Sequence, residues 1–356
     1  MKILIIKLSS IGDVVHTLPA LGVLRRAFPE AKIDWLVEEA ASTLLKDHPM
    51  VDELIVVRRR SWLKDIFRGF GGNWRIAQRL KASHYDMVID FQGLFKSAIW
   101  VYLSKGKRRI GFAGGREMSS LPLNDKLPPY DKEMHAVDRY LKLARYAAGV
   151  EVEADAEGVE EDFPVHIAKE DEERVGRLLA ESGIAEGDAF FVVSTHARWV
   201  TKLWSEANFA ELIGKISRRY KIRPVIIGSK DEVDKARRIA EEAAGDVVDL
   251  AGRTNLRELM ALLKRADFLI TLDSGPMHMA AAVGTLVFAI FGPTAPWRTG
   301  PYGKDNVVLR REELECSPCF SRECRDIKCM ELITPEEVLK HVEELMKSRG
   351  MKESCG

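Results

Sequence analysis

Short apolar runs alternate with segments of helical periodicity along nearly the whole chain. The stretches between the runs, such as HTLPALGVLRRAF and NFAELIGKISRRY, carry apolar residues at i, i+3, i+4 and i+7. Strands that alternate with helices form parallel sheets built from βαβ units. The sequence therefore predicts an α/β fold made of Rossmann-like, doubly wound domains. Eight runs are predicted strands: KILIIK, IDWLV, ELIVV, DMVID, AFFVVS, RPVIIG, DVVDLAG and DFLITLD.

An acidic segment divides this pattern into two halves. Residues 151–162, EVEADAEGVEED, contain seven acids, no base and no apolar periodicity, which is typical of a solvated connection. A chain of 356 residues is long enough for two domains. We predict a first domain over 1–160, a second over 161–334 and a final helix within 335–356, which begins at Pro335.

Composition restricts the partners. The 54 basic and 54 acidic side chains give a net charge of zero, so we expect no nucleic-acid partner. No window approaches the roughly 18 consecutive apolar residues of a membrane span. Met1 and Lys2 lead directly into a strand pattern, so we expect no cleavable signal. We therefore expect a cytoplasmic protein that acts at the surface of the inner membrane.

The first predicted strand runs into the turn S-S-I-G-D and then at once into a helical pattern. The turn places Gly12, Asp13 and His16 at the carboxyl end of the strand, where open α/β sheets bind ligands. It has one glycine, whereas a dinucleotide site requires G-x-G-x-x-G. An ordinary helix N-cap is the competing interpretation of Asp13.

A second turn, in FLITLDSGPMHMAAAVG, predicts an anion site. Ser274 and Gly275 leave backbone N–H groups at a helix N-terminus, where the helix dipole adds positive potential. Gly275 allows a pyrophosphate to approach the backbone, and His278 lies within reach of the same anion. The alternative is that Asp273 or Ser274 is an N-cap and His278 a packed core residue.

Two further residues of the second half have side chains suited to binding a nucleotide. Lys202 precedes a predicted helix that starts near Ser205, and a lysine there can neutralise a leaving diphosphate. Glu232 follows the strand RPVIIG and can accept hydrogen bonds from ribose hydroxyls. The alternatives are an exposed lysine and an acid at the start of a helix.

Residues 58–81 form a basic, aromatic, glycine-broken segment. Eight bases, Arg60 and Lys64 among them, stand against the single acid Asp65. Such a segment fits an anionic, partly apolar partner, and Lys96 and Arg116 extend the predicted surface. A solvated helix face with some aromatic packing is the alternative.

Four cysteines crowd near the C-terminus, with a fifth at Cys355. Cys316, Cys319, Cys324 and Cys329 follow C-x2-C-x4-C-x4-C, a spacing that resembles a zinc knuckle without its usual glycines. Four thiolates suit tetrahedral Zn²⁺. Structural zinc, disulfides and free thiols all stay open at this point.

Taken together, four motifs resemble those of the bacterial lipopolysaccharide heptosyltransferases. They are G-D-V-V-H-T-L-P-A from Gly12, D-F-Q-G-L-F-K-S from Asp90, K-x-W from Lys202 and D-S-G-P-M-H from Asp273. The resemblance implies the GT-B architecture of two Rossmann-like domains facing across a cleft, with a final helix that returns to the first domain. It also implies an ADP-heptose donor on the second domain and an acceptor on the first, with no cofactor required for catalysis.

Residue roles follow from the resemblance by position. Asp13 matches the family's general base, Lys202 a donor-phosphate lysine, Glu232 a ribose-binding acid, and Asp273 to His278 the donor-binding turn. Ala197 and Arg198 stand where some members have hydroxyl residues, and Arg198 is a charged substitute facing the phosphates. Gly12 and His16 of the first turn, with Arg60, Lys64, Lys96 and Arg116 of the basic surface, are predicted to serve the acceptor. The resemblance implies that this acceptor is an anionic glycolipid such as Kdo-lipid A or an extended inner core.

The resulting prediction is an inverting glycosyltransferase that moves a heptose from ADP-heptose to the inner core of lipopolysaccharide. One alternative is a glycosyltransferase of the same fold with another nucleotide sugar or acceptor. The other is a non-catalytic nucleotide-binding module. Loss of Asp13 discriminates them, because only a transferase needs a base at that position.

Overall fold

The chain divides into two compact units, Met1–His166 and Ile167–Gly356. The structure, a computed structural model, describes residues 1–58, 71–150, 162–243 and 245–349. Each unit contains one sheet of six strands, and the described pairings within both sheets are parallel. The predicted α/β class is confirmed. The predicted three-part division of the chain stays a prediction.

The first sheet has the strand order β3-β2-β1-β4-β5-β6. Its central strand β1 pairs with β2 on one side and β4 on the other. Ile3 to Ile6 are completely buried, as expected for a parallel strand covered on both faces. The strands are β1 (Lys2–Ile6), β2 (Lys32–Glu38), β3 (Glu53–Val57), β4 (Met87–Asp90), β5 (Arg108–Phe112) and β6 (Asp125–Leu127).

Helices cover this sheet. Two of them, α1 (Ile11–Ala27) and α5 (Ala136–Ala148), lie beside the turn that follows β1. Helix α1 packs against α5 and contains Pro19 within an almost wholly buried stretch. Helix α3 packs against α4. The described helices are α1 (Ile11–Ala27), α2 (Glu39–Ser42), α3 (Gly72–Ala82), α4 (Phe95–Ser104) and α5 (Ala136–Ala148).

The second sheet has the order β12-β11-β10-β7-β8-β9. Read from β9, this is the order of the first sheet, with β7 in the place of β1 and β10 in the place of β4. The strands are β7 (Phe190–Ser194), β8 (Arg223–Ile227), β9 (Val248–Asp249), β10 (Phe268–Leu272), β11 (Leu286–Ile290) and β12 (Val307–Leu309).

The last helix belongs to the core of the second unit. Val338, Val342 and Met346 of α13 are buried in one cluster with Phe209 and Ile213 of α7. The predicted return of this helix to the first domain stays a prediction. The described helices are α6 (Lys169–Glu181), α7 (Glu206–Tyr220), α8 (Val233–Glu242), α9 (Leu256–Arg265), α10 (Gly275–Ala282), α11 (Pro296–Thr299), α12 (Lys328–Glu331) and α13 (Pro335–Ser348).

The strand order fixes where a ligand can bind in each unit. Open parallel sheets bind ligands beyond the carboxyl ends of the strands, where the order of connection reverses. That switch point lies between β1 and β4 in the first sheet and between β7 and β10 in the second. The predicted Asp13 and Lys202 regions follow β1 and β7, and the predicted phosphate turn follows β10.

Candidate active site

Asp13 stands in the first turn of α1, directly beyond β1. Its Oδ2 accepts hydrogen bonds from the Ser10 backbone N–H (3.1 Å) and from Ser10 Oγ (2.8 Å). Ser10 is the N-cap and Asp13 the N3 residue of a capping box. The N-cap interpretation of Asp13 is therefore wrong, because Ser10 is the N-cap. The Asp13 carboxylate, which is 35% exposed, accepts hydrogen bonds from that N-cap residue instead.

A buried lysine and a tyrosine hold the other carboxylate oxygen. Tyr140 Oη donates to Asp13 Oδ1 (3.0 Å), and Lys7 Nζ lies 3.5 Å from the same atom. Lys7 Nζ also donates to Tyr140 Oη (2.5 Å) and to the Phe91 carbonyl (3.1 Å). Arg139 Nη2 donates to Tyr140 Oη as well (3.1 Å), so the tyrosine proton is directed to Asp13.

These contacts keep Asp13 ionised. Burial pushes the pKa of its carboxyl up, but Lys7, His16 and the two hydrogen bonds from Ser10 outweigh burial and hold the pKa well below its usual value. At neutral pH the group is a carboxylate, which is the form that can accept a proton. Its position at the switch point presents that carboxylate where a ligand binds.

The loop after β4 fixes the turn that carries Asp13. Gln92 Oε1 accepts the backbone N–H groups of Leu8 and Ser9, both at 3.0 Å. Asp90 in turn accepts the N–H groups of Gln92 (2.9 Å) and Gly93 (3.1 Å). Gly93 has a φ of +63°, a conformation that favours glycine. Burial raises the pKa of Asp90 to about 6, against these hydrogen bonds, which lower it.

The predicted acceptor residues fall into different environments. Gly12 and His16 are buried in α1, and the His16 ring lies 5.3 Å from that of His135. Lys96 Nζ is bound to Glu38 Oε1 (2.8 Å) and Ser9 Oγ (2.5 Å). Arg116 is exposed. Arg60 and Lys64 lie within residues 59–70, the half of the basic segment that is outside the described residues.

In the second unit the predicted phosphate turn has the expected form. Strand β10 ends at Leu272, Ser274 is the N-cap and α10 begins at Gly275, with proline in its first turn. His278 follows in that turn and is half-buried. Ser274 makes no side-chain capping bond. The turn thus offers backbone N–H groups and the positive end of a helix dipole to an anion.

Lys202 is joined to this turn through Asp273. Lys202 Nζ lies 2.5 Å from Asp273 Oδ2, and Thr294 Oγ1 donates to the same oxygen (2.6 Å). The side chains of Lys202 and Asp273 are 14% and 8% exposed. Lys202 also stacks over the Trp199 ring at 4.6 Å. The structure therefore brings Lys202 into direct contact with the Asp273 turn, and their predicted roles in donor binding stay a prediction.

Glu232 lies at the neighbouring strand end. Its Oε2 accepts the Ser229 backbone N–H (2.8 Å), and its Oε1 lies 3.5 Å from His196 Nε2. A Cβ on Gly228 would come within 2.9 Å of Glu232 Oε2, so the glycine leaves room for this carboxylate. Arg198 is exposed and the adjacent Ala197 buried.

Several residues of these sites escaped the sequence prediction. Lys7, Tyr140, Gln92 and Thr294 all touch a predicted residue or its loop. Lys7 carried a signal, since it is a charge that directly follows a buried strand. Tyr140 carried none, because 127 residues separate it from Asp13.

None of the four described cysteines is in a disulfide. Cys316, Cys319 and Cys324 are exposed and Cys329 is partly buried. Within the described ranges, no three His, Cys, Asp or Glu side chains are arranged to hold a metal ion. The disulfide alternative is therefore wrong for these four, and Cys355 lies outside the described residues.

Among the described helices, none combines the length and the apolar character that crossing a bilayer requires.

The first unit thus has an ionised carboxylate at its switch point, and the second has a helix N-terminus and a lysine at its own, a combination expected of an α/β transferase with a phosphate-activated donor. Comparison with known proteins agrees. The family model of glycosyltransferase family 9 (heptosyltransferase) matches residues 73–330. The chain is 35% identical over 335 residues to lipopolysaccharide heptosyltransferase 1 of Pseudomonas aeruginosa, covering 91% of this chain and 87% of that one.

Other relatives and solved structures point the same way. Lipopolysaccharide heptosyltransferase 1 of Escherichia coli K12 is 34% identical over 88% of this chain and 95% of its own. The structure of E. coli heptosyltransferase WaaC with ADP aligns with a TM-score of 0.76 and 29% identity, over 97% of this chain and 99% of that one. The chain belongs to glycosyltransferase family 9. It is a glycosyltransferase, and the predicted GT-B class is confirmed.

Proposed function

We propose that this enzyme transfers a heptose from ADP-heptose to the inner core of lipopolysaccharide, with inversion at the anomeric carbon. The observation that carries the proposal is the ionised Asp13, held by Lys7 and Tyr140 at the end of β1. Relatives named lipopolysaccharide heptosyltransferase support the sugar and the acceptor. A solved relative bound to ADP-2-deoxy-2-fluoro heptose supports the donor.

The chemistry follows from the carboxylate. An acceptor hydroxyl oxygen attacks the anomeric carbon, the bond from that carbon to the ADP oxygen breaks, and ADP leaves with the electron pair. Asp13 takes the hydroxyl proton. Tyr140 and Lys7 occupy its Oδ1, and Ser10 occupies its Oδ2. The rotatable Ser10 hydroxyl is the partner that the acceptor displaces.

The second unit binds the donor in this proposal. The N–H groups at Ser274 and Gly275, together with His278, receive the diphosphate. Lys202 exchanges Asp273 for a phosphate oxygen and stabilises the charge that develops on ADP, with Arg198 as an exposed second cation. Glu232 accepts hydrogen bonds from the ribose hydroxyls. No cofactor takes part in these steps.

The acceptor places the enzyme at a membrane. We propose a cytoplasmic protein that associates peripherally with the inner membrane, where an anionic glycolipid such as Kdo-lipid A or an extended inner core is available. Gly12, His16, Lys96 and Arg116, with Arg60 and Lys64, serve the acceptor side. Nucleic acid has no role.

A panel of ADP-, UDP- and GDP-sugars tests the proposal. Purified protein is incubated with each donor and with delipidated Kdo acceptor, and nucleotide release is measured. We expect release of ADP from ADP-heptose that depends on the acceptor. Preference for another donor would instead support the alternative, a glycosyltransferase of the same fold that uses a different nucleotide sugar. Tight ADP binding without turnover for any donor would favour the nucleotide-binding module.

The cysteine segment carries a separate proposal, a structural zinc ion on Cys316, Cys319, Cys324 and Cys329. The spacing C-x2-C-x4-C-x4-C carries this proposal. The described structure does not bring the four thiols into a metal site, so zinc binding would require the segment to rearrange. Protein purified without chelator should contain about one zinc per chain, and less than about half an equivalent rejects the site.

A further inference from the structure

Helix α4 has an unusual distribution of side chains. Ser97 and Ser104 are completely buried, whereas Phe95 and Tyr102 are 48% and 59% exposed. Phe95 and Tyr102 are seven residues apart, so they lie on one face of the helix, with the half-buried Ile99 between them. A helix at the surface of a globular protein normally turns its polar side outward. The outer face of α4 is apolar instead.

A neighbouring turn extends this apolar face. Glu117 Oε2 accepts the backbone N–H of Phe95 (3.2 Å), which fixes the turn Arg116–Met118 beside the start of α4. Met118 and Leu121 are 68% and 74% exposed. We call Phe95, Tyr102, Met118 and Leu121, with Lys105 and Arg116, the α4 surface.

Cations accompany the apolar side chains of the α4 surface. Lys105 ends α4, is exposed and places its Nζ 3.7 Å from the centroid of the Tyr102 ring. Arg116 is exposed at the opposite end. Aromatic and aliphatic side chains rimmed by cations fit the interface of an anionic bilayer. A symmetric contact with a second copy would bring the same cations against one another.

The α4 surface begins next to the candidate active site. Lys96, the residue after Phe95, contacts Ser9 Oγ at 2.5 Å, and Ser9 directly precedes the Ser10–Asp13 capping box. An acceptor whose lipid is embedded in a bilayer would bring its sugars to Asp13 if that bilayer contacts the α4 surface. This step rests on the proposed function.

We propose that the α4 surface docks on the surface of an anionic lipid bilayer. Phe95, Tyr102, Met118 and Leu121 enter the interfacial region, while Lys105 and Arg116 contact anionic headgroups. The docked enzyme then presents Asp13 to a membrane-embedded acceptor. The partner is the lipid surface itself, and no second protein is required.

Vesicle co-sedimentation of the full chain tests the docking. Vesicles contain phosphatidylcholine alone or equal parts of phosphatidylcholine and phosphatidylglycerol. We expect binding to the anionic vesicles that weakens as salt is added. The variant Tyr102→Ser/Leu121→Ser should raise the apparent dissociation constant at least about tenfold, because two apolar side chains leave the bilayer. Leu332→Ser is the matched control, since Leu332 is 44% exposed in the other unit, and it should bind as the native chain does.

Three results would overturn the docking proposal. They are absence of native binding to anionic vesicles, equal vesicle binding by native and double-variant protein, and a double variant that loses a native dimer in sedimentation without losing lipid affinity. Transfer to delipidated acceptor separates this proposal from the proposed function. The double variant should match native activity there. If neither protein transfers heptose, the proposed function fails and the vesicle result still decides the docking.

Discussion

The two sheets have the same strand order, but the candidate functional residues that follow their first central strands carry opposite charges. In the first unit β1 is followed by Asp13, and in the second unit β7 is followed by Lys202. Both units also carry an aspartate at the carboxyl end of the strand across the switch point: Asp90 is the last residue of β4, and Asp273 directly follows β10. We propose that this one architecture provides a proton acceptor in the first unit and a phosphate-binding cation in the second.

The burial of each Lys–Asp pair shows the same division. In the first unit the cation Lys7 is 1% exposed and the carboxylate of Asp13 is 35% exposed, so the acid faces outward. In the second unit both side chains are largely buried, with Lys202 14% exposed and Asp273 8% exposed. In the proposed mechanism Lys7 therefore keeps the Asp13 carboxylate ionised, and Lys202 leaves Asp273 when a phosphate binds.

The largest expected effect comes from Asp13→Asn. The amide cannot take a proton, so turnover should fall at least about 100-fold, the usual scale for a lost general base. Steady-state release of ADP measures the effect. Asp234→Asn, an exposed aspartate on α8, is the control and should retain native turnover. If Asp13→Asn retained native turnover, Asp13 would not be the general base.

Lys7→Met should shift the pH profile. Asp13 must be ionised to act, and its native pKa lies below the usual value, so native kcat/KM should stay flat down to about pH 5. Without Lys7, burial raises the pKa, and the acid limb should move up by more than about one pH unit. Activity is thus lost as the pH falls through the new pKa. An unchanged profile would show that Lys7 does not control the carboxylate.

Tyr140→Phe removes one hydrogen bond to Asp13 and keeps the ring. We expect kcat to fall up to about tenfold with KM unchanged, because a single hydrogen bond contributes about 1 kcal/mol. Tyr146→Phe is the matched control, because Tyr146 lies on the same helix but its hydroxyl donates to Asp125. Equal losses in both variants would indicate damage to α5 rather than to the carboxylate.

The smallest expected effect is a change in the pH dependence of folding stability in the variant Asp90→Asn. The pKa of Asp90 is raised from 3.8 to about 6 in the folded protein. The folded state therefore favours the protonated acid, and this stabilisation is present below about pH 4 and lost as the pH rises through about 6. The difference in unfolding free energy between native and variant, measured with urea, should change between about pH 4 and pH 7. A constant difference would contradict the raised pKa.

Much of the fold was predictable because parallel strands buried on both faces are short apolar runs. All eight predicted strands are present, from Lys2–Ile6 to Phe268–Leu272. Four strands of the described residues were missed. Strand β5 begins with Arg108 and Arg109, and β6 and β12 have three residues each, so neither periodicity nor length distinguishes them. Strand β11 directly follows the apolar end of α10, where a short apolar run does not separate strand from helix.

The candidate site was predictable where its residues are neighbours in sequence. Asp13 follows its strand directly, and Asp273 to His278 form one continuous turn. The hydrogen bonds from Tyr140 to Asp13 and from Thr294 to Asp273 join residues 127 and 21 positions apart. Only the packing of α5 on α1 and the alignment of neighbouring strand ends bring these groups together. Spacing alone contains neither fact.

Calorimetric titration of ADP into Asp13→Asn and Lys202→Met tests the division between the two switch points most directly. The account predicts that Asp13→Asn binds ADP as the native enzyme does, while Lys202→Met binds at least about tenfold more weakly because a charged phosphate partner is lost. Weakened ADP binding in Asp13→Asn together with native binding in Lys202→Met would contradict it.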